Sequence, residues 1–250
     1  MNVLQFISRR RGCGHLVLSL ILIQIGPSGW WPDVSFAADT RPRIVAFGDS
    51  LTAGLGVGAD ESYPAQLQQR LESLNYRYRV INAGVSGDTT AGGLRRVPWI
   101  LNSKPEVVIL ELGANDGLRG LSLEQTRHNL EQIIQRLLGA GVKVILAGMK
   151  LPPNYGKDYT ADFEAIYPAL AQRYRLPFIP FFLEGVAASA TLNQADGIHP
   201  TKEGHRIIAD QVLAALRPLL DQRRAKPSED RREPDNERTP ARSEAPGRRH

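Results

Sequence analysis

Arg43-Ile44-Val45-Ala46-Phe47-Gly48-Asp49-Ser50-Leu51 reads as a short, continuously apolar strand that breaks at a glycine into polar residues. A run that is apolar throughout, not at alternate positions, suits a strand covered on both faces, as in parallel sheets between helices. Similar runs recur at Arg79–Asn82, Val107–Leu112, Val142–Ala147 and Phe178–Pro180. Helical patterns lie between them. Pro64–Leu74 repeats Leu67, Leu71 and Leu74 at helical spacing. Ser122–Leu138 opens on a capping-box pair, Ser122 and Gln125, and stops at Gly139 and Gly141. Weaker patterns cover Thr90–Leu101 and Asp162–Tyr174, and Thr201–Leu216 closes the series. This alternation predicts a three-layer α/β/α sandwich around a five-stranded parallel sheet with right-handed crossovers. No internal repeat is visible.

The rest of the chain is bounded by composition. Its 250 residues, 42% hydrophobic and 23% charged, suit one globular domain with extensions. The signs are interleaved along the chain and the formal charge of +5 sits mostly at its two ends, since residues 38–220 carry 19 basic and 18 acidic side chains. A nearly neutral fold does not suit a nucleic-acid binder. Cys13 is the only cysteine, which excludes a disulfide scaffold and a cysteine-ligated zinc site.

Both ends differ from the middle. Arg9, Arg10 and Arg11 precede an apolar run from Leu16 to Ile25, too short to span a bilayer, which needs about 20 residues. Ser35-Phe36-Ala37 supplies small residues at the two positions that a signal peptidase reads. Residues 1–37 are therefore expected to be a secretory signal cleaved after Ala37, with an uncleaved anchor as the alternative. Residues 38–220 form the folded domain. Residues 221–250 are rich in Arg, Asp, Glu and Pro and read as a disordered tail. The mature chain is expected to be periplasmic or secreted, without a stable membrane span.

Ligands of open α/β sheets bind beyond the carboxyl ends of the strands. Those ends carry Gly48-Asp49-Ser50-Leu51, Ala83-Gly84, Gly113-Ala114-Asn115-Asp116 and Asp196-Gly197-Ile198-His199. Each has a plainer reading. Gly48-Asp49-Ser50 suits a turn with a helix cap, and the glycines suit chain exits from strands. Asn115-Asp116-Gly117 and Asp196-Gly197 suit ordinary turns. Together they supply a serine, backbone amides, a carboxamide, a carboxylate and an imidazole, the components of acyl transfer through a serine. Of the five histidines only His199 is on a predicted loop with an acid three residues before it. His15, His128, His205 and His250 fall in the signal, two helices and the tail.

These blocks resemble the SGNH, or GDSL-type, serine hydrolase superfamily in order and spacing across residues 40–217. Gly48–Gly54, Asn82–Thr89, Glu111–Gly120, Leu151–Gly156 and Asp196–Pro200 carry the resemblance. It is closest to the bacterial exported thioesterase I, lysophospholipase and arylesterase group. It implies a flavodoxin-like SGNH fold, with Ser50 as nucleophile, His199 as general base and acid, and Asp196 orienting His199. It also implies an oxyanion hole from the Ser50 and Gly84 amides and the Asn115 side chain. Asp49 is expected to be structural.

The resemblance implies hydrolysis of fatty-acyl esters, thioesters or lysophospholipids, with no cofactor and no metal. Leu151, Pro152, Pro153, Tyr155, Phe181, Phe182 and Leu183 are candidates for an acyl groove, or simply for the edge of the core. Val85–Gly92 is expected to be flexible enough to close over a bound chain. A carbohydrate O-deacetylase and a non-catalytic binding module on the same fold remain as alternatives. A monomer is expected, although oligomeric state leaves no signal in the sequence.

Overall fold

A computed structural model describes residues 39–225. Its strands are β1 (Arg43–Gly48), β2 (Arg79–Gly84), β3 (Pro105–Glu111), β4 (Lys143–Ala147) and β5 (Phe178–Ile179). All pair in parallel, in the order β2-β1-β3-β4-β5. The helices are α1 (Ser50–Ala53), α2 (Tyr63–Ser73), α3 (Thr90–Asn102), α4 (Ala114–Leu118), α5 (Leu123–Gly139), α6 (Lys157–Tyr174) and α7 (Lys202–Ala225). α2 packs with α7, and α3 with α5, which also meets α6. The expected three-layer sandwich is therefore present. The chain leaves β1 towards β2 and returns to add β3 on the other side of β1. That reversal opens a crevice between the ends of β1 and β3, where a ligand site is expected.

Burial explains which strands read clearly. Ile44, Val45, Ala46 and Phe47 of β1 are sealed from solvent, as are Val107, Val108, Ile109 and Leu110 of β3. β2 is an edge strand and half exposed, with only Ala83 buried. The expectation of two covered faces thus holds for the centre of the sheet and fails at this edge. Both β1 and β2 run further than their apolar letters, to Gly48 and Gly84, because the parallel ladder continues through that pair.

Helix ends follow side-chain chemistry. Ser122 Oγ accepts from the Gln125 amide at 3.2 Å. The reciprocal half of the capping box is not made, since the Gln125 side chain donates to Asn129 instead. α6 begins at Lys157, before the periodic stretch starts, after Gly156 turns the chain at φ 90°.

The largest departure is at the C-terminal end. α7 continues through Pro218 to Ala225, past the boundary expected at residue 220. Arg224 Nη2 donates to the carbonyls of Leu74 (3.1 Å) and Asn75 (2.6 Å), and Arg223 pairs with Glu106. These charged residues dock on the fold, so residues 221–225 belong to the domain and not to the tail. The expected signal segment 1–37, with its cleavage point, and the remainder of the tail lie outside the described residues. Among the described residues, no helix is long and apolar enough to cross a membrane, and no cluster suits a metal ion.

Candidate active site

The ends of β1, β2 and β3 and the loop before α7 bring the predicted residues to one edge of the sheet. β1 stops at Gly48, and Asp49 caps α1 by accepting the Leu51 amide at 3.0 Å. Ser50, the first residue of that helix, is thereby held at a sharp strand-to-helix turn. Its side chain meets an imidazole from the far end of the domain: His199 Nε2 lies 2.9 Å from Ser50 Oγ. His199 Nδ1 lies 2.7 Å from Asp196 Oδ2. Asp196 curls back as the three-residue spacing allows, its other oxygen accepting the backbone N–H of Ile198 and His199, each at 3.0 Å. Those two donors, with the imidazole, hold its carboxyl down to about 2. Asp196 is thus ionised throughout the neutral range, and a carboxylate in that position can orient an imidazole and offset a positive charge on it.

Asn115 stands across the crevice at the start of α4. Its Nδ2 donates to Asp49 Oδ2 at 3.1 Å, and its Oδ1 accepts from Arg119 Nη2 at 3.2 Å. The Gly84 N–H, at the end of β2, donates to Asn82 Oδ1 at 2.9 Å. Glycine is required at 84 by packing: a Cβ there would meet the backbone of Thr52 and Ala53 in α1.

Beneath the serine lies a pair of buried carboxyls. Glu111, at the end of β3, accepts from Thr52 Oγ1 at 2.8 Å and from the Asp49 amide at 3.3 Å through Oε2, while Oε1 has no partner. Burial first, and then the Asp49 charge, push Glu111 well above the usual carboxyl range. Burial also raises Asp49 to about 6, opposed by its bonds from Leu51 and Asn115.

A cavity of about 470 Å³ opens beside Ser50 and His199. Leu51, Leu118, Met149, Leu151, Phe181 and Leu183 give it an apolar wall. Its size falls in the range of small-molecule sites, ~300–1,000 Å³.

Residues 46–207 match the GDSL-like lipase/acylhydrolase family. The chain belongs to that family. Esterase TesA of Pseudomonas aeruginosa is 44% identical over 178 residues, spanning 71% of this chain and 89% of that protein. Thioesterase 1/protease 1/lysophospholipase L1 of Escherichia coli strain K12 is 40% identical over 189 residues, 75% of this chain and 89% of that one. The crystal structure of TesA aligns with a TM-score of 0.69 at 44% identity, covering 71% of this chain and 99% of the other.

In this acylhydrolase two sequence expectations need correction. Leu151, Pro152, Pro153, Phe181 and Leu183 do line the cavity, but Tyr155 and Phe182 do not. Phe182 is sealed in the core against the edge of Tyr63, and the Tyr155 hydroxyl donates to the Leu118 carbonyl. Val85–Gly92 is tied down. The Val85 amide donates to Gly48, Arg119 holds the Gly87 carbonyl at 3.0 Å, and Asp88 pairs with Arg96 at 2.6 Å. Gly92 already belongs to α3, and none of the segment lines the cavity.

Sequence reasoning passed over Arg96, Arg119, Asn82 and Glu111. Glu111 had a signal, an acid closing an otherwise apolar strand. The two arginines had none, because a charge on a helix surface, as at Arg96, or in a turn, as at Arg119, is what solvent exposure alone would lead one to expect.

Proposed function

We propose that this acylhydrolase is an exported serine esterase that hydrolyses fatty-acyl esters and thioesters, lysophospholipids among them, through an acyl-enzyme on Ser50. The observation carrying the proposal is the 2.9 Å approach of His199 Nε2 to Ser50 Oγ beside an apolar cavity. A serine hydroxyl is a weak nucleophile until a neighbouring base takes its proton. As Ser50 Oγ attacks the acyl carbon, its proton passes to His199 Nε2, and Asp196 balances the imidazolium. His199 then gives that proton to the departing alcohol or thiol. A water molecule, deprotonated by the same imidazole, then attacks the acyl carbon. As the bond to Ser50 Oγ breaks, the imidazolium returns that proton to Oγ, which releases the fatty acid and restores Ser50.

The oxyanion is received by the Ser50 and Gly84 amides and Asn115 Nδ2. The Gly84 N–H rests on Asn82 Oδ1, a neutral acceptor. A full negative charge accepts roughly twice as strongly, so the oxyanion replaces the carboxamide only as charge develops. All these groups come from one chain, so a monomer is a complete enzyme.

The Arg9–Arg11 cluster, the apolar run and Ala37 support export, which places the natural substrates outside the cytoplasm. An apolar wall beside the serine favours an acyl chain over a sugar, which argues against the O-deacetylase reading. The test is a comparison of purified mature protein on acyl thioesters, lysophospholipids, aryl esters and acetylated sugars. Preference for the first three with acyl groups longer than acetyl is the expected outcome. Activity confined to acetylated sugars would overturn the assignment.

A further inference from the structure

We propose that Arg96 is a positioning residue that aims the Gly84 amide at the oxyanion. The proposal rests on the reading of Gly84 as an oxyanion donor. Arg96 lies on α3, with a side chain largely withdrawn from solvent and its guanidinium carbon 4.8 Å from the centre of the Phe47 ring. Its donors meet three partners. Nη1 donates to the Ala83 carbonyl at 2.8 Å, and Nη2 to the Gly48 carbonyl at 3.1 Å. Nε and Nη2 both donate to Asp88 Oδ2, at 2.8 and 2.6 Å.

The two carbonyls are informative. The Ala83 C=O and the Gly84 N–H are opposite ends of one peptide unit. Because that unit is planar and trans, fixing the direction of the oxygen fixes the direction of the hydrogen. A cation bonded to the carbonyl also polarises the N–H at the other end. The second carbonyl, of Gly48, belongs to the peptide that leads into the nucleophile turn, and its N–H end is held by Glu111. One guanidinium therefore ties the last peptide of β2 to the peptide by which the chain leaves β1.

Asp88 neutralises Arg96, so the effect on the site is directional and does not come from a net positive charge. Asp88 also sets the planar fork. It occupies Nε and one face of Nη2, leaving Nη1 and the rest of Nη2 to span the two carbonyls. A lysine retains the charge but has no such fork and reaches one carbonyl at a time. None of the residues that Arg96 itself touches lines the cavity. Substrate binding in the ground state should therefore be untouched.

The test compares Arg96→Lys, Arg96→Gln and Asp88→Asn with wild type, scaling each rate to the number of working sites found by active-site titration. The Arg96 variants are expected to lower kcat per titrated site by about 10–100-fold with KM within about twofold, as expected when a donor is misaimed and not removed. The inhibition constant for an acyl trifluoromethyl ketone, which forms an oxyanion on the serine, should rise in proportion. Asp88→Asn should fall between wild type and Arg96→Lys, and it decides the matter if Arg96→Gln does not fold. A kcat per titrated site within twofold of wild type, whatever the loss of thermal stability, would overturn the proposal. So would a falling kcat with an unchanged ketone constant. Ser50→Ala is measured alongside. Persistent hydrolysis in that variant sinks the serine reading itself, whereas an inactive Ser50→Ala with normal Arg96 variants sinks only the role of Arg96.

Discussion

Asn115 reaches Asp49 through its amide nitrogen, at 3.1 Å. Asp49 as a carboxylate only accepts, and Arg119, on the other side of the carboxamide, only donates. The two charges fix which end of the Asn115 carboxamide faces Asp49, and they leave it one further N–H, the one that the proposed mechanism offers to the oxyanion. Asp49→Asn should weaken that grip and lower kcat by roughly 10–100-fold, the worth of one hydrogen bond to a charged group, about 1.5–3 kcal/mol. Steady-state kinetics on an aryl ester would check this. A rise confined to KM would mean that Asp49 acts on substrate binding instead.

Asn82→Asp replaces the neutral acceptor on the Gly84 N–H with a charged one of nearly the same shape. The carboxylate competes with the oxyanion for that donor and repels it. A fall in kcat of about 10-fold or more is expected, by the same measure of a charge-assisted bond. The loss should shrink as the pH approaches the usual aspartate range. A pH-independent loss in kcat would point to a structural defect in the turn.

His205 on α7 has no exposed surface, and neither ring nitrogen has a hydrogen-bond partner. Burial lowers its pKa from 6.5 to about 4, with the nearby His199 adding to the effect. Above about pH 6.5 both folded and unfolded chains carry it neutral, so its titration has no effect on stability. As the pH falls from 6.5 to 4 the unfolded chain binds the proton and the folded chain does not, which removes up to about 3 kcal/mol. Asp49 works in the opposite direction over part of that window, because its raised pKa gives the folded state the extra proton. The difference between wild type and His205→Leu isolates the histidine. In thermal unfolding, the variant should gain on wild type as the pH drops from 6.5 to 4, and parallel curves would refute this.

The apolar wall predicts a graded chain-length response. Each methylene buried in the cavity contributes about 0.8 kcal/mol, so kcat/KM should rise by up to about fourfold per carbon until the space is filled. Ala187 lines this cavity and is exposed, so a large side chain there is accommodated without repacking the core. Ala187→Trp should cut kcat/KM for long acyl esters while leaving acetyl esters within about twofold, by the same area argument. A uniform loss across the series would place the acyl chain elsewhere.

The legible parts of this protein are those in which one physical demand dictates the letters. Buried parallel strands need unbroken apolar runs, which is why β1, β3 and β4 stand out, whereas the half-exposed β2 ends in Asn82-Ala83-Gly84. The meeting of Ser50, His199 and Asp196 was legible because Asp196 and His199 share one loop and the other histidines fall in helices or in the terminal segments. The supporting charges were not. Arg96 is a single letter on an amphipathic helix and Arg119 a single letter in the turn after α4, and their roles depend on carbonyls contributed by distant segments. The end of α7 was hidden for a related reason. Asp221, Arg223 and Arg224 look like a solvated tail, yet they find partners on Tyr76, Glu106 and the Leu74 and Asn75 carbonyls.

The most direct measurement is the site of reaction with a fluorophosphonate, located by mass spectrometry of the labelled protein and followed beside ester hydrolysis. Wild type should carry a single adduct on Ser50 and lose activity in step with labelling. Ser50→Ala should neither label nor turn over, with a loss on the order of 10⁶-fold as in other serine triads. An adduct on another residue, or substantial hydrolysis by Ser50→Ala, would contradict a mechanism in which His199 activates Ser50.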